Sequence, residues 1–295
     1  MKIIMVVTAL LFSFWATGLY AAEEKPEHKV EEQKGVVAHT EAPPAVTGTA
    51  SLSVLNKYIF RGYEINRRSF VVQPYTSVSY KGFSVSFWGN VDSSSHGTPT
   101  VNPAARNMDG KREWNETDLT LSYTYTAGKV SLTGGWIYYA LKYADETEEL
   151  FVSANYDTLF KPTLTVYQDY RSYPGTYVNF SVGHSIKVYK ENTLDLAASW
   201  GYERGQGKFW ETYSRSAAAA GTNPYTGSVY RAPHDGMVKA GFTIPITKKI
   251  TLQPFAQYWY PLSSKASRTI DGNPYNPNGN VGTVFVTGLT VAYNF

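Results

Sequence analysis

The 295-residue chain contains no cysteine. That excludes disulfides, thiolate metal centres and a lipid-modified N-terminal cysteine. Charged residues are sparse as well, at 17%. After the N-terminal stretch no run of about 18 apolar residues occurs, so no α-helical membrane span is available. Histidine is scarce: His28 and His39 fall in a charged N-terminal stretch, and His96 and His234 fall in expected loops. None of these shows metal-ligand spacing. There is no phosphate-binding glycine-rich motif and no pair of carboxylates on one rigid element. Catalysis is therefore not expected, and no cofactor or metal is implied. Setting aside Lys2 and residues 23–47 leaves 23 basic and 18 acidic residues, or +5. That is a mild bias without a clustered basic face, so nucleic acid is not an expected partner.

Aromatic residues are abundant, with Tyr 24, Phe 14 and Trp 7, yet the mean hydropathy is only −0.30. The two facts are reconciled by a period of two. Leu119, Leu121, Tyr123 and Tyr125 alternate with Thr120, Ser122, Thr124 and Thr126. Val178, Phe180, Val182 and Ile186 alternate with Asn179, Ser181, Gly183 and Ser185, and Leu194, Leu196 and Trp200 with Asp195, Ala197 and Ser199. A half-buried strand of any kind alternates this way. A second row of small polar residues, however, suits a wet lumen better than a packed sandwich core, and segments of about ten residues fit a tilted membrane-spanning strand.

Twelve such segments are expected: 50–61, 68–80, 83–92, 115–126, 130–141, 148–158, 163–171, 176–189, 194–204, 235–246, 250–261 and 282–295. Short connections at 81–82, 127–129, 159–162, 190–193 and 247–249 alternate with longer ones, notably 93–114, 205–234 and 262–281. Both termini then fall on the short-turn side. The fold expected is all-β: a closed antiparallel transmembrane barrel over 48–295. Closure is obligatory, because an open edge in hydrocarbon leaves backbone groups unsatisfied. Ahead of it, Lys2 and the apolar run Ile3–Gly18 read as a signal peptide over 1–22. Residues 23–47 alternate acids and bases before Pro43-Pro44 and read as a disordered periplasmic tether.

Tyr58, Phe60, Phe70, Tyr138, Tyr170, Tyr202, Tyr258 and Tyr260 are expected at the loop-side ends of strands. Tyr80, Phe83, Tyr123, Tyr125, Tyr293 and Phe295 are expected at the turn side. Two such rows are the aromatic belts of a bilayer-spanning protein. The run Tyr58-Ile59-Phe60-Arg61-Gly62, the strand to Tyr80, and Gly82-Phe83-Ser84-Val85-Ser86-Phe87-Trp88-Gly89-Asn90-Val91-Asp92 together resemble the TorF-like family of outer-membrane porins. The resemblance covers about the first 45 residues of the barrel, and it implies a channel without naming a solute. Leu289, Val291, Tyr293 and the terminal Phe295 look like the signal read by barrel-assembly machinery. Outer-membrane lipids and that machinery are thus the expected partners, with small solutes; oligomeric state is left open.

The alternation turns Lys57, Arg61, Asp92, Asp118, Asp157, Asp169, Arg171, Lys187, Asp195, Glu203 and Lys239 inward. Of these, Lys57, Arg61, Asp92, Asp169, Arg171 and Lys187 are the candidate constriction, and the small positive excess points toward anions. Arg61 has two readings: at the mouth attracting anions, or paired with a neighbouring strand to fix the first hairpin. His184, on an outward row without a serine beside it, is the one candidate for a lipid-modifying enzyme. The loop 205–234, carrying Phe209, Trp210, Tyr213 and Tyr225, either folds inward as a plug or projects outward to bind a partner, which would make a non-conducting, adhesive or supporting barrel.

Overall fold

In the computed structural model the alternating segments close into one wall. Residues 45–66, 69–95, 110–267, 274–275 and 281–295 are described. The expected signal peptide, nearly all of the tether, and parts of loops 93–114 and 262–281 lie outside them. The strands are β1 (Thr47–Leu55), β2 (Ile59–Phe60), β3 (Tyr63–Glu64), β4 (Val71–Tyr80), β5 (Phe83–Asp92), β6 (Glu113–Ala127), β7 (Val130–Leu141), β8 (Thr147–Tyr156) and β9 (Thr163–Asp169). They continue as β10 (Gly175–Tyr189), β11 (Asn192–Gly205), β12 (Glu211–Ser214), β13 (Tyr225–Val229), β14 (Arg231–Pro245), β15 (Ile250–Pro261), β16 (Pro274–Tyr275) and β17 (Val284–Asn294). A five-residue helix, α1 (Arg215–Ala219), follows β12.

Twelve of these form a closed antiparallel barrel in the order β1-β17-β15-β14-β11-β10-β9-β8-β7-β6-β5-β4. The seam is β1 against β17, from Thr49↔Asn294 to Leu55↔Gly288. Backbone bonds from Gly48 N to the Phe295 carbonyl (2.9 Å) and from Phe295 N to the Gly48 carbonyl (3.0 Å) finish it. The expected strand number and short turns are found. At the β4–β5 turn, Lys81 and Gly82 both have positive φ (49° and 85°), as the tight two-residue turns of twisted hairpins require.

Burial follows the period of two. On β1, Thr49, Ser53 and Leu55 are buried while Leu52 and Val54 are exposed; on β8, Glu149, Phe151 and Ser153 are buried while Leu150 and Val152 are exposed. The exposed apolar row faces outward all round, as a lipid-facing band does. Both belts are present, Phe70, Tyr170, Tyr202 and Tyr258 at the loop end and Tyr80, Phe83, Tyr123, Tyr293 and Phe295 at the turn end, all exposed. Tyr58 and Phe60 are the exceptions: each is only 3% exposed.

The reason is a departure of the chain from the wall. The first barrel strand ends at Leu55, not at residue 61. Residues 56–66 turn into the lumen as the hairpin β2–β3, paired Ile59↔Glu64 and Phe60↔Tyr63. In loop 205–234, β12 pairs with β13 and β16 in a small sheet separate from the barrel. Trp210, Tyr230 and Ala232 form a buried cluster with Phe209 and Val229 packed against it, and Thr212 on β12 is buried as well.

Candidate functional site

The lumen is built around the inward hairpin. Its turn is Arg61-Gly62, with φ of 44° and 77°. Both central residues of this hairpin must be left-handed, which glycine tolerates and arginine does at a cost of about 1–3 kcal/mol. A side chain at 62 would also collide with Asp235, since its Cβ would fall 2.6 Å from the Asp235 Cβ. The hairpin's base is tied by Lys57 Nζ to Glu64 Oε1 (2.5 Å), by Tyr58 N to Asn66 Oδ1 (2.5 Å), and by Ile65 N to the Tyr58 carbonyl (2.9 Å). Tyr63 also bridges Val281, just ahead of β17.

One side of the lumen is apolar and receives the hairpin. Tyr58, Ile59, Phe60, Tyr63 and Ile65 share a buried cluster with Val71, Trp88, Met237, Phe255, Trp259, Val284 and Val286. Tyr58 and Trp88 have ring centroids 5.5 Å apart. The other side is polar and receives Arg61. Its guanidinium donates from Nη1 to Glu149 Oε1 (2.9 Å) and from Nη2 to Glu149 Oε2 (2.8 Å). It lies between the rings of Phe60 (4.7 Å), Tyr167 (4.8 Å) and Tyr177 (4.4 Å). Tyr139 donates to the same carboxylate at 2.8 Å, and Tyr177 donates to Asp235 at 3.0 Å. A bidentate guanidinium–carboxylate pair with stacked rings fixes orientation as well as charge. Next to the hairpin, Tyr230 shares a 2.7 Å hydrogen bond with His234 Nδ1, and His234 packs on Tyr63 (4.9 Å). Burial raises the Tyr230 phenol above its ordinary range, so it stays protonated in that bond.

The turn side is more open. A cavity of about 800 Å³, counting its mouth into solvent, is lined by Ser51, Ser53, Gln73, Tyr75, Gln253 and Phe255 among others. Asp195 projects into it and accepts from Thr193 (3.0 Å) and Thr243 (2.6 Å). Lys239 stands over the Phe255 ring at 4.5 Å.

The sequence-predicted candidates do not form one constriction. Arg61 is in the lumen, but its partner stands on β8, on the far side of the barrel from β1, not on a neighbouring strand or at the mouth. Lys57 serves the hairpin base. Asp92 is buried and accepts from Ser94 N (3.0 Å). Asp169 is buried and accepts from Thr147 Oγ1 (2.7 Å) and from the backbone N–H groups of Arg171 (3.0 Å) and Tyr173 (3.2 Å), so it caps the loop. Arg171 points away from the lumen, paired with Glu146 (2.6 Å) and Glu148 (2.5 Å). Lys187 is exposed at the turn side, 3.1 Å from Glu191. Among the described residues, the buried charges of the loop-side half are mostly acids: Glu64, Asp92, Glu116, Asp118, Glu149, Asp169, Glu203 and Asp235 against Arg61.

Glu116, Glu149 and Asp235 were missed as inward groups. Glu149 is in phase with Phe151 and Ser153, so parity on its strand would have found it. Asp235 could not be found this way. A register irregularity between Trp200 and Tyr202 on the neighbouring strand accompanies consecutive His234 and Asp235 both being buried. His184 keeps its outward row, with Nδ1 2.9 Å from the Leu159 carbonyl and its ring edge-on to Phe160 (5.9 Å). That is a turn contact with no nucleophile in it.

A closed twelve-stranded barrel with an apolar exterior and a polar lumen crossed by a hairpin has the fold of bacterial outer-membrane proteins. No protein-family model matches the chain, and no curated protein does. Among solved structures, the NanC porin is similar at 9% identity, over 84% of this chain and 99% of that one, with a TM-score of 0.47. The KdgM porin is similar at 8% identity over 84% and 99%, also with a TM-score of 0.47. An outer membrane channel from Pseudomonas putida F1 is similar at 10% identity over 90% and 100%, with a TM-score of 0.45.

Proposed function

We propose that this chain is a narrow outer-membrane channel in which residues 56–66 set the constriction and small hydrophilic solutes or ions diffuse past it. The observation that carries the reading is the inward row itself. It carries Ser, Thr, Asn and Gln on β1, β4, β5, β8 and β10, including Thr49, Ser53, Gln73, Ser77, Asn90, Ser153 and Asn179, and it opens into the turn-side cavity. A barrel serving only as an anchor has no need of a wet interior. The resemblance of residues 58–92 to TorF-like porins supports the same reading. Solute-induced swelling of proteoliposomes tests it. Small neutral and charged solutes should enter, with a sharp fall-off as size increases; no entry of any solute into vesicles holding folded barrel would sink the proposal.

One observation favours a second reading, a non-conducting barrel. Tyr58, Ile59, Phe60, Tyr63 and Ile65 are all under 10% exposed, so the hairpin fills its side of the lumen closely. On that reading the separate sheet of β12, β13 and β16 would carry the function, and replacing it would matter while replacing the hairpin would not.

A further inference from the structure

We propose that the turn-side rim of the barrel is a docking surface for anionic phospholipid, with a ring of lysines holding the lipid phosphates. This rests on the barrel spanning a bilayer and not on conduction, and it holds whether or not the lumen passes solutes. Each of the five short turns carries lysine: Lys81, Lys129, Lys161, Lys190, and the pair Lys248 and Lys249. All six are exposed. The acidic side chains at the turns are Asp157 and Glu191, while Asp195 faces the lumen; Glu191 stands 3.1 Å from Lys187. Among the described residues, none of the six turn lysines is in an ion pair.

The turns do not need lysine for their backbone. Among the described residues, the non-glycine positions with positive φ are Arg61, Lys81 (49°), Lys161 (41°) and Lys190 (50°). Glycine, asparagine and aspartate suit that left-handed conformation, and lysine adopts it at a cost. What lysine adds is a long cationic arm, and the arms reach exposed rings. Lys81 Nζ lies 5.4 Å from the Tyr80 ring centroid, Lys190 Nζ 5.1 Å from that of Tyr189, and Lys249 Nζ 5.7 Å from that of Tyr293. All three rings are exposed, and Tyr80 and Tyr293 belong to the turn-side belt. The ammonium groups thus sit at the depth where headgroups meet acyl chains. Leu159 and Phe160 ahead of Lys161, and Ile246 ahead of Lys248, are exposed as well. An anionic leaflet takes both kinds of group, the cations at its phosphates and the apolar side chains at its acyl boundary. A soluble polyanion would leave those apolar side chains in water.

Spin-labelled lipids added to the refolded full-length chain in phosphatidylcholine bilayers test this, because spin resonance resolves the lipid immobilised at the barrel wall. Phosphatidylglycerol should be enriched there over phosphatidylcholine by about threefold or more, and the enrichment should fall in about 1 M salt. Lys81→Asn, Lys161→Asn and Lys190→Asn together put turn-compatible residues at the strained positions, so the barrel should fold and the enrichment should drop by about half. Replacing all six lysines with glutamine should bring the two lipids level. Arg204→Gln with Arg231→Gln, exposed at the loop end, should change the enrichment less than the triple asparagine variant does. No enrichment in the parent, an unchanged enrichment in the folded triple variant, or an equal loss in the loop-end variant overturns the proposal. Retention of the parent on a heparin column without any lipid preference would assign the rim to a soluble polyanion and overturn it as well.

Discussion

Removing the Arg61 guanidinium should unseat the hairpin. In the seated state Arg61→Ala leaves Glu149, 1% exposed, holding only the Tyr139 hydroxyl and no counter-charge. In the unseated state that carboxylate meets lumen water. The difference falls on the seated state alone, and breaking one partner of a buried pair costs about 3–5 kcal/mol. At about 1.4 kcal/mol per tenfold, the population of open hairpin should rise by roughly 10²–10⁴. Because the chain has no cysteine, a single one introduced by Ile59→Cys reports alone. Ile59 is 7% exposed, so a charged maleimide should label it slowly in the parent and far faster with Arg61→Ala. Adding Glu149→Ala should recover much of the protection, since the orphaned charge goes with it. A change in labelling below threefold, in barrels that keep their heat-sensitive gel mobility, would refute the reasoning. So would effects of the two substitutions that simply add.

The seam makes a second prediction. The Phe295 ring covers Gly48, where a Cβ would meet it at 2.4 Å, and it stacks on Tyr293 at 5.9 Å. Phe295→Ser should lower the yield of assembled barrel in outer-membrane fractions, and an unchanged yield would count against the role of the terminal strand. Arg171→Ala should leave ion selectivity where it was, because both of its ion pairs are exposed and outside the lumen. A shift in reversal potential comparable to that of a lumen carboxylate would contradict its placement.

The wall was legible because each strand obeys one strong rule: large apolar residues face lipid and small polar ones face water, so parity alone gave strand count, topology and face. Phe83, Tyr123 and Tyr293 stand where that rule put them. The hairpin was not legible as such, because Tyr58 and Phe60 have the types of belt residues and the expected strand simply ran on to Arg61. The available sign was a break in the pattern. Arg61-Gly62, both with positive φ, is a turn at the point where the expected strand ran on. The candidate site suffered for the same reason. Which charges meet across a barrel depends on the position of the inserted hairpin and on a register irregularity near Asp235, and neither leaves a periodic trace. Arg171 was misplaced because the expected strand was carried past Asp169, where the wall already ends.

The central claim is that residues 56–66 narrow a conducting lumen, and single-channel recording tests it most directly. Refolded parent barrel and a variant with residues 58–65 replaced by a short Gly-Ser linker would be compared in planar bilayers under the same salt. The account predicts small discrete steps from the parent and steps several-fold larger from the variant. Equal steps from both, or none from either despite complete folding, would contradict it.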